Sequence, residues 1–405
     1  MKSTFVTLIL LWLTNGVAIS VVITPVADVT VSGGQYYLED TPSSFGGNLS
    51  LYFAPAVTFA TGDTLIPVFS ALYRGTRDVR ELIGGDALVR QTADYGLNLK
   101  YTRGYGPSDI SARLVYGKSL VNETRDETWG SGLFDYTRML GGLEYSRDVG
   151  PYHTSLAADY FSVTFDNYSS LVSSVEDEFS LAIDTTTYSE ISENSGVKVL
   201  DYRGLAFSAR AETGYGRTCI RFGYRFELRS FPDQTVVRSD GSFSPEKRGD
   251  TVNSFTASAL HRAGRAELGL ENSLTLFSSN QNSFDAGSAK FMEDFYSYTL
   301  IQLAPSAAFY IGNPENPSRL AIRWDIGWRL YSGRPARDAR AEYLDEKVRQ
   351  SEKGLGLSYM HPVTASISLI LRAGKNTVSS NMKYEADYRY NYTTMNYFAG
   401  MNLRY

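Results

Sequence analysis

The chain has 405 residues, 43% hydrophobic and 20% charged, with a formal net charge of -5. That composition excludes a disordered chain, and the charge balance supplies no polybasic field for nucleic acid. The length fits one large barrel or two to three ordinary soluble domains.

In chain order, the first feature is Lys2 followed by a short apolar core from Thr4 to Leu13. Ala18 and Ser20 then occupy the small-residue positions before a cut ahead of Val21. This reads as a secretory signal over 1–20, too short for a spanning helix. No cysteine stands directly after the apolar core, so no lipid anchor is expected. No later apolar run approaches roughly 18 residues, so the mature chain, 21–405, is expected to leave the cytoplasm without a membrane helix. The single cysteine, Cys219, forms no intrachain disulfide and belongs to no CxxC motif.

Strands follow at 46–60, 62–74, 90–103, 108–119, 134–147, 151–165, 201–214, 218–230, 251–262, 265–278, 293–311, 318–332, 348–360, 364–376 and 386–405. Several alternate cleanly. In 93–102, Ala93, Tyr95, Leu97, Leu99 and Tyr101 oppose Asp94, Asn98, Lys100 and Thr102. In 219–229, Ile220, Phe222, Tyr224, Phe226 and Leu228 oppose Arg221, Arg225, Glu227 and Arg229. In 319–330, Leu320, Ile322, Trp324, Ile326, Trp328 and Leu330 oppose Arg319, Arg323, Asp325 and Arg329. Such runs are about twice the ~5–6 residues of an ordinary strand and match the roughly 9–11 that a tilted strand needs to cross a bilayer. One face is apolar, and the charges lie mid-run on the other. A membrane barrel provides both environments, whereas a soluble sandwich or propeller, the competing reading, would need water there. The 29 Tyr and 21 Phe suit either.

The connections add weight. Short turns carrying Gly, Pro or Asp are expected near 61–63, 104–107, 148–151, 215–217, 263–264, 312–317 and 361–364. Long polar connections are expected near 75–87, 120–133, 167–199, 231–249, 279–291 and 333–345. Their alternation is the rhythm of a barrel with short turns at one end and long loops at the other. Fifteen strands is an odd count. Parity therefore calls for a sixteenth at 29–40, where the pattern is poor, with fourteen as the runner-up. Ala54-Pro55 with Phe59 and Gly62 recurs as Ala304-Pro305 with Phe309 and Gly312, too little to infer a duplication.

The last strand ends Gly400-Met401-Asn402-Leu403-Arg404-Tyr405. Gly400, Leu403 and the terminal aromatic Tyr405 resemble the C-terminal assembly signal of bacterial outer-membrane β-barrels. Departures are Phe398, where a polar residue is usual, and Tyr in place of a final Phe. The resemblance is to the outer-membrane barrel and porin-like class, with no particular family. It implies a Gram-negative outer-membrane location, docking on the barrel-assembly machinery, and contact with outer-membrane lipid and lipopolysaccharide. Whether the barrel is a monomer or a trimer stays open.

Chemistry is sparse. The three histidines, His153, His261 and His361, each lie beside a short turn, and no HExxH, Walker or GxSxG motif occurs. No enzymatic role, metal or cofactor is expected. The functional candidates are the charges predicted to face the lumen: Lys100, Arg113, Arg138, Arg210, Arg221, Arg225, Glu227, Arg229, Glu267, Glu271, Arg323, Asp325 and Arg329. They line an aqueous pore or tie a narrower barrel together as ion pairs. Arg221, Arg225 and Arg229 form a column stepping roughly 13 Å, a candidate anion track. The acidic connection 167–199 reads as a solvated loop, and 120–133 as a segment able to fold into the channel. The expected protein is an all-β, closed antiparallel transmembrane barrel of about sixteen strands. Its expected role is a passive channel for small hydrophilic solutes; the alternatives are a closed structural or adhesive barrel and, behind it, an enzyme.

Overall fold

The computed structural model describes residues 21–39, 44–81, 87–122, 127–168, 198–285, 287–385 and 389–405. The segment 1–20, expected as a secretory signal, and residues 169–197 of the acidic loop lie outside them. The strands are β1 (Val21–Thr24), β2 (Ala27–Leu38), β3 (Ser44–Phe53), β4 (Ala56–Phe59), β5 (Thr64–Glu81), β6 (Ala87–Tyr105), β7 (Ser108–Asn122), β8 (Tyr136–Val149), β9 (Tyr152–Thr164) and β10 (Tyr202–Tyr215). They continue with β11 (Thr218–Val237), β12 (Phe243–Ala263), β13 (Ala266–Ser279), β14 (Ser283–Asp285), β15 (Lys290–Met292), β16 (Tyr298–Ile311), β17 (Ser318–Arg337), β18 (Tyr343–Pro362), β19 (Ile367–Ser380) and β20 (Tyr392–Arg404).

Sixteen of these close one antiparallel ring, each pairing with its neighbours in sequence. β1 and β4 are the short-turn ends of β2 and β3, set off at Pro25 and Pro55, where a ladder donor is missing. Closure runs through β2 and β20, from Asp28 opposite Arg404 to Leu38 opposite Thr394. The sixteenth strand required by parity is therefore present. Tyr405 completes the seam: its backbone exchanges hydrogen bonds of 2.8 Å in both directions with Ala27. Asp28 accepts from Asn402 Nδ2 at 2.6 Å and pairs with Arg404 at 3.2 Å. The other proline of the Ala-Pro echo, Pro305, stays within β16 and leaves a gap in its ladder to β17 between Leu303 and Ser306.

The outward face is apolar. Leu97, Leu114, Leu143, Leu156, Phe207, Phe222, Leu270, Trp324, Leu357, Leu371 and Met401 are exposed along it, the band that a hydrocarbon layer covers. The two ends differ. At one end the connections are tight, such as 216–217, where Gly216 adopts φ 58°. At the other, strands outrun the band. The segments expected as loops at 231–249 and 333–345 are mostly strand: β11/β12 and β17/β18 continue as long hairpins closed by turns at 238–242 and 338–342. Bulges after Ser230 and Leu330 let the ladders resume, so polar sequence with turn residues is still hydrogen-bonded strand. The connection at 279–291 holds a further small hairpin, β14/β15.

Candidate functional site: the barrel interior

Every predicted inward charge lies on the face opposite the exposed apolar side chains. Two walls of the interior differ in how these charges are used.

The wall formed by β6 to β11 is crowded. A single register row carries Lys100, Arg113, Gly142, Asp159, Ala206 and Glu227 on successive strands. The small residues let side chains bridge over them. A Cβ at Gly142 would overlap the Asp159 carboxylate, so the glycine makes room for that acid. Arg113 grips Asp159 bidentately, with Nε donating at 3.0 Å. Arg225 lies 3.5 Å from the same carboxylate, whose side chain is 1% exposed. Arg225 and Arg229 both reach Glu227, at 3.1 and 2.7 Å. Arg229 also stacks over Tyr202 and Phe277, and Arg138 over Phe161. Lys100 pairs with Glu144 at 2.8 Å, and Arg210 is near enough to act on the same carboxylate. Arg221 is held by Glu212 at 2.8 Å. Each arginine of the Arg221, Arg225, Arg229 column thus meets an acid, with Glu227 shared by Arg225 and Arg229 and Asp159 by Arg113 and Arg225. The column is a chain of ion pairs as well as a line of positive charge.

The opposite wall, β12 to β20, is open. Arg323 bridges Glu271 and Asp325, both at 2.8 Å. Glu267 lies 3.4 Å from Arg262 and 3.7 Å from Arg319. Ser258, Ala304, Gly354, Gly356 and Gly374 face the remaining interior and leave a cavity of about 650 Å³. A second space of about 660 Å³ lies toward the short-turn end beside Arg221, Ser258 and Arg262. Side-chain exposure of the interior charges is 64% for Arg221, 61% for Glu271 and 52% for Asp325.

The long-loop end carries packed clusters. Met292, Phe295 and Tyr296 pack together, as do Tyr331, Ala336, Val348, Met382 and Tyr390. Arg248 lies between Phe231 and Tyr296, 4.4 and 5.0 Å from the ring centres. Arg334 stacks on Phe295, Tyr331 and Tyr390, and Arg329 over Tyr298. Sequence reasoning placed Arg329 in the pore but missed this rim. The segment 120–133, able to fold into the channel, turns its described part toward the outside. Trp129 packs edge-on against Tyr73, an exposed residue of the outward face, with ring centres 6.0 Å apart.

The rim reveals an internal repeat of about one hundred residues. Asn280 and Asn381 make the same clamp. Their Oδ1 atoms accept from the Gly249 and Arg349 N–H at 2.7 and 2.8 Å. Their Nδ2 atoms donate to the Lys247 and Lys347 carbonyls and to Glu246 and Glu346. At the far end of these hairpins Thr218 bonds His261 and Ser318 bonds His361, each at 2.9 Å. The sequence signal was Glu-Lys at 246–247 and 346–347, with Ser-Ser-Asn at 278–280 and 379–381.

The histidines lie at the short-turn rim. His153 bonds Asp148 at 2.8 Å, with both side chains more than half exposed. The Thr218–His261 and Ser318–His361 pairs are on the outward face, and His361 stacks against Tyr359. Among the described residues no carboxylate orients either ring, so neither pair shows the third group that activates a hydroxyl nucleophile. Among the described residues no cluster of His, Cys, Asp and Glu is arranged to hold a metal ion.

No family model matches the sequence, and no curated protein matches it. Solved structures do resemble the fold. CdiB from Acinetobacter baumannii aligns with TM-score 0.50 at 10% identity, over 96% of this chain and 66% of that one. An anion-selective porin from Comamonas acidovorans aligns with TM-score 0.47 at 10% identity, over 95% of this chain and all of the other. The trimer form of OmpT, an outer membrane protein of Vibrio cholerae, gives 0.47 at 10% identity over 95% and 99%. At such identities the likeness concerns the fold alone: this chain has the architecture of a bacterial outer-membrane β-barrel.

Proposed function

We propose that the chain is a passive outer-membrane channel for small hydrophilic solutes, with its short turns in the periplasm and no enzymatic role. The observation that carries this reading is the water exposure of interior charges. Arg221, Glu271 and Asp325 point into the barrel yet remain more than half exposed. A barrel packed solid would bury them, and burial would be costly for groups held by single partners. The small residues of the open wall supply the passage, and the paired charges along it polarise the water that a solute must share.

The packed rim favours a second reading, a closed barrel whose outer surface binds a partner. Planar-bilayer recording separates the two. The channel reading expects stepwise conductance, and no current at all would sink it. Arg221→Glu with Arg323→Glu, which leaves the buried Asp159 cluster intact, should shift the reversal potential toward cations. Unchanged selectivity would remove these residues from the conducting path.

A further inference from the structure

Two lysines occupy places where the fold has no need of charge. Lys375 on β19 lies on the apolar outward face, between Leu355 and Met395, which are 50% and 37% exposed. Lys353 on β18 lies between Ile326 and Thr377 on the same face. Because Lys353 opposes Thr377, the two lysines are diagonal cross-strand neighbours, within reach of one ligand. Arg349, opposite Leu330 and also exposed, continues the same face toward the loops.

Their height follows from the register. Counting from His361 at the short-turn rim, Lys375 is level with Leu355, six residues up, and Lys353 is eight up. At about 3.3 Å per residue and a tilt of about 40°, these are roughly 15 and 20 Å into an apolar band about 25 Å tall. Arg349 then stands just beyond it. A lysine in this position carries its ammonium upward on an apolar stem, so the Lys353 charge arrives at the headgroup level of the leaflet on the long-loop side and the Lys375 charge rises to just beneath it. Two other outward bases have acids: Lys118 lies 3.8 Å from Asp166, and Arg103 lies 3.9 Å from Asp63. Among the described residues neither Lys353 nor Lys375 has one.

The repeat provides the control. The positions equivalent to Arg349, Lys353 and Lys375 are Gly249, Asn253 and Leu274, on hairpins with the same clamp and register. The scaffold is therefore complete without these cations, and their placement on one copy alone asks for an external anion. We propose that Lys353, Lys375 and Arg349 form a seat for a phosphate of an outer-leaflet lipid headgroup, the phosphorylated saccharide class of lipid. Two ammonium groups and a guanidinium on one face around the edge of the band match that group in charge, and the guanidinium can take its oxygens bidentately. The proposal needs the barrel to lie in a membrane but is independent of whether it conducts.

The test uses the full chain, purified and refolded in detergent, incubated with bisphosphorylated lipid A or with the same lipid after phosphatase treatment. Native mass spectrometry counts bound lipid. Wild type should retain the phosphorylated form, and Lys353→Asn with Lys375→Leu should lower retention at least tenfold. Lys353→Arg with Lys375→Arg should preserve it. The reciprocal change, Asn253→Lys with Leu274→Lys, should add a second bound lipid, so the idea remains testable even if the first variant folds poorly. Equal retention by wild type and the Asn/Leu variant would overturn it. So would equal binding of the dephosphorylated lipid, or loss of an oligomer with lipid retention unchanged, which would assign the patch to a second copy.

Discussion

The two copies of the rim hairpin, β11 to β13 and β17 to β19, have the same frame and different fillings. In the first, Arg248 is bonded bidentately to Asp250 at 2.9 Å, reaches Gln234 at 3.2 Å, and is sandwiched between two rings. Ser279 donates to Asp250 at 2.6 Å. In the second, Val348 and Gln350 take those places, and Val348 is buried among Tyr331, Ala336, Met382 and Tyr390. Both sites are nearly dry: the Arg248 and Asp250 side chains are 4% and 1% exposed, and Val348 is 1% exposed. The asparagine clamp thus fixes the backbone, and the space beneath it accepts either an ion pair or an apolar cluster. A buried pair of this kind is a poor source of net stability but a large liability when halved.

The largest expected effect follows. Asp250→Ala leaves the Arg248 charge buried between Phe231 and Tyr296, at a cost of about 3–5 kcal/mol. Hydrogen exchange of the rim amides of β11 to β13 should report it as lost protection. Installing the other copy's residues, Arg248→Val with Asp250→Gln, should recover most of that loss. A double variant as unprotected as the single one would show that the fillings are not interchangeable.

The next effect should be equal in the two copies. Asn280→Ala and Asn381→Ala each strand one backbone N–H, that of Gly249 or Arg349, and remove two donated bonds. Each should cost about 1–3 kcal/mol in local opening, and the two values should agree within about 1. A large cost in one copy only would mean that the frame is not shared.

How much of this was legible in the sequence depends on what each feature asks of a residue. Alternation at Ile220 to Arg229 and Leu320 to Arg329 was legible because lipid and lumen impose opposite polarity on every second position. The strand at 29–40 was not, because Gly33 and Gly34 interrupt its pattern; only the need to close the ring against Tyr405 revealed it. The long hairpins were hidden by Pro232-Asp233 and Asp240-Gly241, which read as loop, while bulges keep the pairing beyond them. Several of the interior partners were hidden because they join strands two apart. Arg113 meets Asp159 only across Gly142, a link that no spacing along the chain records. The repeat rests on a Glu-Lys pair, a Ser-Ser-Asn run, one histidine per copy and little else.

The first copy also reaches over the second. Tyr343 on β18 donates to Asp285 at 2.8 Å, and Lys290 caps its ring. Burial pushes the Asp285 carboxyl up. Hydrogen bonds from Tyr343, Ser288 and the Ser288 and Gly287 N–H groups outweigh that and hold it below the ordinary carboxylate value. A group held low stabilises the fold fully above its unfolded value, about 4, and loses that contribution as pH falls through the lowered one. Exchange protection of β14 and β15 should therefore be flat from about pH 8 to 5 and decline only in stronger acid. Asp285→Asn should flatten that decline. An onset near neutrality would assign it to another group.

The smallest effect has opposite signs in the two copies. The turns at 238–242 and 338–342 carry the same pair of backbone bonds: the Arg238 and Asp338 N–H groups donate to the Ser242 and Glu342 carbonyls, and the Gly241 and Ala341 N–H groups donate to the Arg238 and Asp338 carbonyls. The left-handed position is Gly241, φ 81°, in the first, but Ala341, φ 67°, in the second. A Cβ there crowds the following carbonyl, so Ala341→Gly should stabilise its turn by about 1 kcal/mol even though glycine is more flexible when unfolded. Gly241→Ala should do the reverse and somewhat more, because the new Cβ would fall 2.6 Å from Phe284 Cδ1. Exchange at the two turns measures both. Two changes of the same sign would mean that the turns differ in more than this residue, and the frame would then be shared only as far as the asparagine clamp.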